Sequence, residues 1–153
     1  MKLSENLDLS EVIRSESAKR NGISNTPTPE HIENLMALAE NIFQPIRDHF
    51  KKPIRISSGY RSKGLNIKVG GSLTSQHSKG QAIDIDMDGT DITNKQIFDF
   101  VKDNLNFDQL IYEFGDEQNP DWVHISYNKN GPQRKQVLKA YKLNNQTKYF
   151  DYA

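Results

Sequence analysis

Four histidines and the acids near them are the residues of this chain with the richest chemistry, and two of the histidines stand in suggestive company. His77 sits in Ser75-Gln76-His77-Ser78-Lys79-Gly80-Gln81-Ala82-Ile83-Asp84. A histidine in a loop just before a strand, with an aspartate seven residues later on that strand, can aim two ligands at one point. Gly80 suits the tight return between them because glycine takes positive φ without a steric penalty. His124 lies in Asn119-Pro120-Asp121-Trp122-Val123-His124-Ile125-Ser126, within a strand flanked by apolar residues. Taken alone, each segment also reads as ordinary structure: a polar loop joined to a strand with exposed acids, and a half-buried strand histidine. Asp121, three residues before His124 at the strand's entry, tilts the balance, since an acid there could stand beside a metal without binding it.

Two neutral imidazoles and one carboxylate suit zinc and leave a fourth position for water. Zinc brings the pKa of such a water to roughly 7. A nearby carboxylate then takes the proton and hands it to a leaving amine, and a cation is wanted where a carbonyl oxygen gains charge. The candidate ligands are therefore His77, Asp84 and His124, and the candidate base is Asp121, with Glu113 the next acid in line. The candidate cation is Arg61, in Ser57-Ser58-Gly59-Tyr60-Arg61-Ser62 after a strand end. His31 and His49 share one long helix with 17 residues between them and no acid or histidine four residues on. They read as surface or helix-end histidines. With no cysteine in the chain, a disulfide framework and a thiolate zinc site are both excluded.

Positioning these residues falls to a sequence of helices followed by strands. Residues 10–21 read as a short helix with Ser10 as N-cap, Val12, Ile13 and Ala18 buried, and Gly22 as its stop. After the Asn25–Pro29 turn, Thr28 caps the strongest helix, with Pro29 at its first position. Its apolar stripe runs through Ile32, Leu35, Met36, Ala39, Ile42, Phe43, Ile46 and Phe50 at helical spacing, and Pro45 should kink it or end its regular ladder. Ile54–Ser58 reads as a strand closed by Gly59, and 60–76 as a loop with one helical turn near Leu65–Val69. Residues 82–87 alternate apolar and acidic, a half-buried strand with its carboxylates on one face. Thr93 and Gln96 form a capping box for a helix to about Asn104 that buries Ile97, Phe98 and Val101. Gln109–Phe114 and Trp122–Tyr127 are further strands, and Val137–Leu143 and Lys148–Tyr152 a closing pair across Asn144-Asn145. The order predicts an α+β fold, N-terminal helices on a small, mostly antiparallel sheet, in a single domain spanning 1–153.

Twenty basic residues balance twenty acidic ones, and the densest basic runs, Lys51-Lys52 and Arg134-Lys135, are only dipeptides. Phosphate neutralisation supplies most of the affinity of a nucleic-acid binder, so that class is set aside. The N-terminal residues carry no apolar run fit for a signal peptide, and no stretch approaches the roughly 20 apolar residues of a membrane span.

The motifs together resemble the zinc D-alanyl-D-alanine carboxypeptidases and L-alanyl-D-glutamate endolysin peptidases, the LAS peptidases. The pattern Ser-x-His-x-x-Gly-x-Ala-x-Asp is met by Ser75, His77, Gly80, Ala82 and Asp84. A later acidic-x-x-His is met by Asp121 and His124, and an upstream Ser-Gly-Tyr-Arg by Ser58 to Arg61. The likeness covers roughly residues 25–127 and is greatest to short phage- or prophage-encoded members. It implies a hedgehog-like zinc fold with His77, Asp84 and His124 as ligands, Asp121 as base and Arg61 on the scissile carbonyl. Ser75 and Tyr60 would line the substrate groove. It further implies a monomer acting on peptidoglycan peptide, made in the bacterial cytoplasm without a signal peptide and reaching the wall after release or within a virion. Two other readings stay open: a D-Ala-D-Ala carboxypeptidase or dipeptidase, and a non-catalytic zinc-containing wall-binding module, as the hedgehog domain is a binding module. Residues 128–153 fall outside the motifs and read as a β element that finishes the sheet.

Overall fold

A computed structural model describes residues 1–153. The chain opens on a small antiparallel pair that the sequence did not announce, β1 (Lys2–Ser4) and β2 (Leu7–Asp8), which buries Leu3 and Leu7. The expected helix over 10–21 is two short ones, α1 (Leu9–Ile13) and α2 (Glu16–Asn21). Arg14 is extended between them, and Ser15 caps the second by accepting from the Ala18 N–H. The first cap is Asp8 rather than Ser10, in a reciprocal box with Glu11. Gly22 ends α2 in the left-handed conformation, as expected.

The long helix is continuous from Pro29 to Phe50 but changes pitch: α3 (Pro29–Leu38), a π-turn (Ala39–Phe43) and α4 (Gln44–Phe50). Thr28 caps α3 with Pro29 in its first turn, as the sequence requires. Within the π-turn the Gln44 N–H reaches back to the Ala39 carbonyl. The widened turn makes room for Pro45, which lacks an N–H and whose ring would press on the preceding turn of a regular helix. Met36, read as part of the stripe, is exposed, and Leu38 takes its place in the core.

Six strands form the main sheet: β3 (Ile56–Ser58), β4 (Ala82–Ile85), β5 (Gln109–Glu113), β6 (Trp122–Ser126), β7 (Gln136–Leu143) and β8 (Gln146–Asp151). Their order is β3-β4-β6-β5-β7-β8. All neighbours are antiparallel except β5 and β7, which run parallel. The β7–β8 turn is made by Asn144 and Asn145, both at positive φ, which asparagine tolerates. Between β3 and β4 lie α5 (Lys63–Lys68) and a 3₁₀ turn (Gln76–Lys79), and α6 (Asn94–Asn104) follows β4 with the Thr93–Gln96 box in place.

The alternation of the strands sorts the sheet into two faces. Ile83, Ile85, Leu110, Tyr112, Val123 and Ile125 point to one face and pack with Leu35, Leu38, Ile42 and Ile46 of the long helix and with Ile97, Phe98 and Val101 of α6. The residues between them, Asp84, Ile111, Glu113 and His124, point to the other face, which no helix covers in this way. Phe98 is fully buried against Tyr112, ring centroids 5.2 Å apart, and Tyr152 at 4.8 Å. Phe98→Ala should cost about 3–5 kcal/mol through lost burial and the cavity it leaves. Chemical denaturation checks this, and a loss below about 1 kcal/mol would mean that this contact between α6 and the sheet does not carry the core.

Candidate metal centre and its cleft

Register builds the centre. The β4–β6 pairing sets Asp84 opposite His124, and both side chains leave the face away from the helices. His77 comes from the 3₁₀ turn just before β4, whose N-cap is Ser75, accepting from the His77 N–H at 3.2 Å. Gly80 closes that turn at φ +74, and a Cβ there would lie 2.6 Å from the His31 carbonyl, so glycine is required twice over. The donor atoms of His77, Asp84 and His124 all lie within 4.8 Å of one another.

Hydrogen bonds decide which ring atoms face the centre. His77 Nδ1 lies 2.8 Å from the Gly59 carbonyl, which only accepts, so Nδ1 carries the proton. Its unprotonated Nε2 then faces Asp84 Oδ1 at 3.3 Å. His124 Nε2 lies 3.1 Å from Gln76 Oε1 and donates to it, which turns the His124 Nδ1 lone pair toward the same Asp84 oxygen, also at 3.1 Å. With neutral rings, three acceptors converge with no donor between them, the arrangement a cation fits. Two imidazoles and a carboxylate match the donor set of a catalytic zinc site. Burial acts to raise the Asp84 carboxyl, but with no metal bound a proton carried by His77 or His124 on the side facing it outweighs burial by charge and N–H donation and holds it well below the usual carboxylate range.

A chain of polar groups backs His124. Gln76 Nε2 donates to Asp108 Oδ2 at 3.1 Å, and Arg134 grips Asp108 with Nε at 3.0 Å and Nη2 at 2.9 Å. The planar fork fixes the carboxylate, the carboxylate fixes the amide, and the amide fixes the ring.

The same cleft holds Arg61, Ser75, Glu113 and Trp122. Arg61 Nη2 reaches Ser75 Oγ only at 3.5 Å, and its buried Nε has no partner at all. Burial lowers the Arg61 pKa and Asp84 raises it. Glu113 is 6% exposed, and its carboxyl is pushed up to about 7 by burial, with His124 lowering it and Asp84 raising it. It sits two residues along β5 from Ile111, the cross-strand partner of His124.

Asp121 and Tyr60 stand elsewhere. Asp121 is exposed, lines a separate depression with Gly115 and Tyr141, and donates its backbone N–H to the Glu113 carbonyl at 2.8 Å. It stands just before β6, outside the run of alternation that places His124, and does not line the cleft that holds the ligands. Tyr60 is 5% exposed and belongs to the core, its ring 5.1 Å from that of His31. Only part of it lines a shallow groove beyond Arg61. His31 caps α3 and His49 stacks on Phe100, both structural as read from the sequence. Sequence reasoning passed over Gln76, Asp108 and Arg134, whose spacing carries no motif. Glu113 had a signal, an acid at the end of an apolar strand on the same face as Gln109 and Ile111.

A triad able to hold a metal, a buried acid and an arginine with an unpartnered Nε share one cleft, the parts from which a metal-dependent hydrolase site is built. The family model described as Peptidase M15 matches residues 5–126, most of the chain. The protein therefore belongs to the M15 peptidase family of zinc metallopeptidases. No curated protein gives a significant match to the chain.

Gln76→Leu should leave the fold intact and weaken zinc binding about 10- to 100-fold, the usual cost of losing an outer-shell partner. Competition with a chromophoric chelator measures this, and unchanged affinity would deny the amide its role. A second expectation follows from Glu113 in the metal-free protein. Its folded pKa of about 7 lies above the ordinary 4.5, so between those values the folded chain binds the proton more tightly than the unfolded one. Stability then falls as pH rises, and the full cost is reached above pH 7. Metal-free Glu113→Gln should melt a few degrees above wild type at about pH 8 and level with it at about pH 4, at roughly 2–4 °C per kcal/mol. Equal melting at both pH values would show that the carboxyl is not under strain.

Proposed function

We propose that the protein is a cell-wall peptidase that hydrolyses an amide bond in the stem or cross-link peptide of peptidoglycan, in the manner of a phage endolysin or a virion-associated hydrolase. The observation that carries the reading is the convergence, in one cleft, of the His77–Asp84–His124 triad, a buried acid and a half-buried arginine whose Nε is buried and unpartnered. Zinc, when bound, supplies the Lewis acidity that makes water a nucleophile near neutral pH. Glu113 is the base in this reading. Burial pushes its carboxyl up to about 7 in the metal-free chain, and a carboxyl so withdrawn from water is suited to take a proton and return it to a leaving amine. Arg61 directs its guanidinium at the substrate carbonyl, where charge develops. Ser75 holds the His77 turn and offers its oxygen to Arg61.

A purely structural zinc site needs neither a buried acid nor an unpartnered arginine, which argues against the binding-module reading. Arg61 and Val69 line both the cleft and a second groove bounded by Glu11, Arg14 and Ser57. Substrate chain can thus continue past Arg61, which favours an endopeptidase over a carboxypeptidase that must close on a terminal carboxylate.

The test is release of new amino groups from purified peptidoglycan of defined stem peptide, with fragments identified by mass spectrometry and zinc content measured in each variant. Glu113→Gln should keep zinc and lose about a hundred- to ten-thousand-fold in turnover, while Asp121→Asn should keep both zinc and turnover. Wild type that holds zinc yet releases nothing overturns the peptidase reading. The reverse pattern between the two variants returns the base to Asp121.

A further inference from the structure

The matched family region ends at Ser126, the last residue of β6, so β7 and β8 lie beyond it. They are nevertheless part of the cleft: Leu138, Lys142, Thr147 and Tyr149 line it together with the triad. Strand order explains how. The cleft crosses the sheet from Arg61, just after edge strand β3, over β4 and β6 with the ligands, to β8 at the opposite edge.

One row of this sheet is unusual. Glu113 on β5 pairs with Ala140 on β7, and Ala140 pairs with Tyr149 on β8. Cross-strand partners share a face, so all three side chains point into the cleft side. Two strand spacings separate Glu113 from Tyr149 at the backbone, about 10 Å. The residue between them is fully buried and carries only a methyl group, which leaves the phenol room to extend toward Glu113. The ring is 52% exposed and is not among the residues packed on the core, unlike Tyr152 three positions later. An aromatic side chain on an edge strand, free of the core and aimed into a cleft, is suited to a ligand.

We infer that Tyr149 is a substrate-contacting residue, donating its hydroxyl to a carbonyl oxygen of the bound peptide on the side of the metal centre opposite Arg61. The inference rests on the peptidase reading for its substrate class. Burial raises the phenol's pKa and the carboxylates of Glu113 and Asp84 raise it further, so it remains a neutral donor through the working pH range. A neutral O–H suits the carbonyl oxygens that a peptide presents along its length, while the guanidinium of Arg61 lines the other end of the cleft. The closing hairpin is in this view a wall of the active site and not only the end of the sheet.

The experiment uses the zinc-loaded full chain and soluble stem peptide released from purified peptidoglycan. Wild type, Tyr149→Phe and Tyr141→Phe are compared, the last removing a hydroxyl from the opposite face of the same hairpin. Tyr149→Phe should keep full zinc content and the wild-type melting curve while kcat/KM falls about tenfold or more, and Tyr141→Phe should match wild type. Wild-type kcat/KM in Tyr149→Phe overturns the inference, as does an equal loss in Tyr141→Phe. If wild type cuts nothing, the peptidase reading fails by itself, and binding of the same peptide decides Tyr149. Trp122, the one tryptophan, lines the cleft and reports binding by fluorescence. A Kd raised about tenfold in Tyr149→Phe upholds the contact, and an unchanged Kd removes it.

Discussion

The β4–β6 pairing is the interaction on which the rest depends, because it sets Asp84 against His124 while Ile83 and Ile85 enter the core beside Val123 and Ile125. Side chains alternate along a strand, so a slip of one residue would send the two ligands into the hydrophobic layer and the apolar residues into water. The core thereby specifies the centre: the register that buries the isoleucines is the register that presents the ligands. The third ligand is tied to the same frame. Gly59 follows β3, and its carbonyl orients His77. A Cβ at Gly59 would lie 2.3 Å from the Val12 carbonyl, so glycine is what lets this segment press against α1.

Around this frame the protein carries groups that cost stability in the absence of a ligand. A glutamate held largely out of water and an arginine N–H with no partner are both unfavourable in the resting fold. Other interior polar groups are better served: Asn94 bonds the Met87 N–H and the Pro120 and Asp121 carbonyls, although Asn66 Oδ1 and Ser78 Oγ also lack a partner. What sets the cleft apart is that its unpartnered group is an ionisable arginine beside a buried acid, both within reach of a bound substrate.

Much of this was readable from residue order. The helix caps at Thr28 and Thr93 and the asparagine turn follow from local rules, because capping and turn chemistry act over a few residues, while the three candidate ligands are marked by motif and brought together by the sheet. The places where reading failed are those set by the whole fold. Asp121 lies near His124 in sequence but lines a separate depression, since it precedes β6 instead of alternating within it. Tyr60 shares a motif with Arg61 and lines the groove beyond it, but most of its side chain is committed to the core. Asp108 meets Gln76 and Arg134 only through tertiary structure, and no pattern along the chain marks such a meeting. The split at Arg14 shows the reverse, a local signal in Ser15 that was available and overlooked.

The π-turn at Ala39–Phe43 makes the long helix a phase shifter. A regular helix advances about 100° per residue, and the widened turn resets the angle at which everything after it emerges. On the near side Leu35 and Leu38 face the sheet; on the far side Ile46 rejoins them in the core. Gln44, just past the reset, turns the other way and holds the N-terminal hairpin through Ser4 and Asn6. The helix is therefore keyed to the residue, like a coupling with one fitting position: any change of length within that turn would swing α4 out of step with both the core and the hairpin it secures.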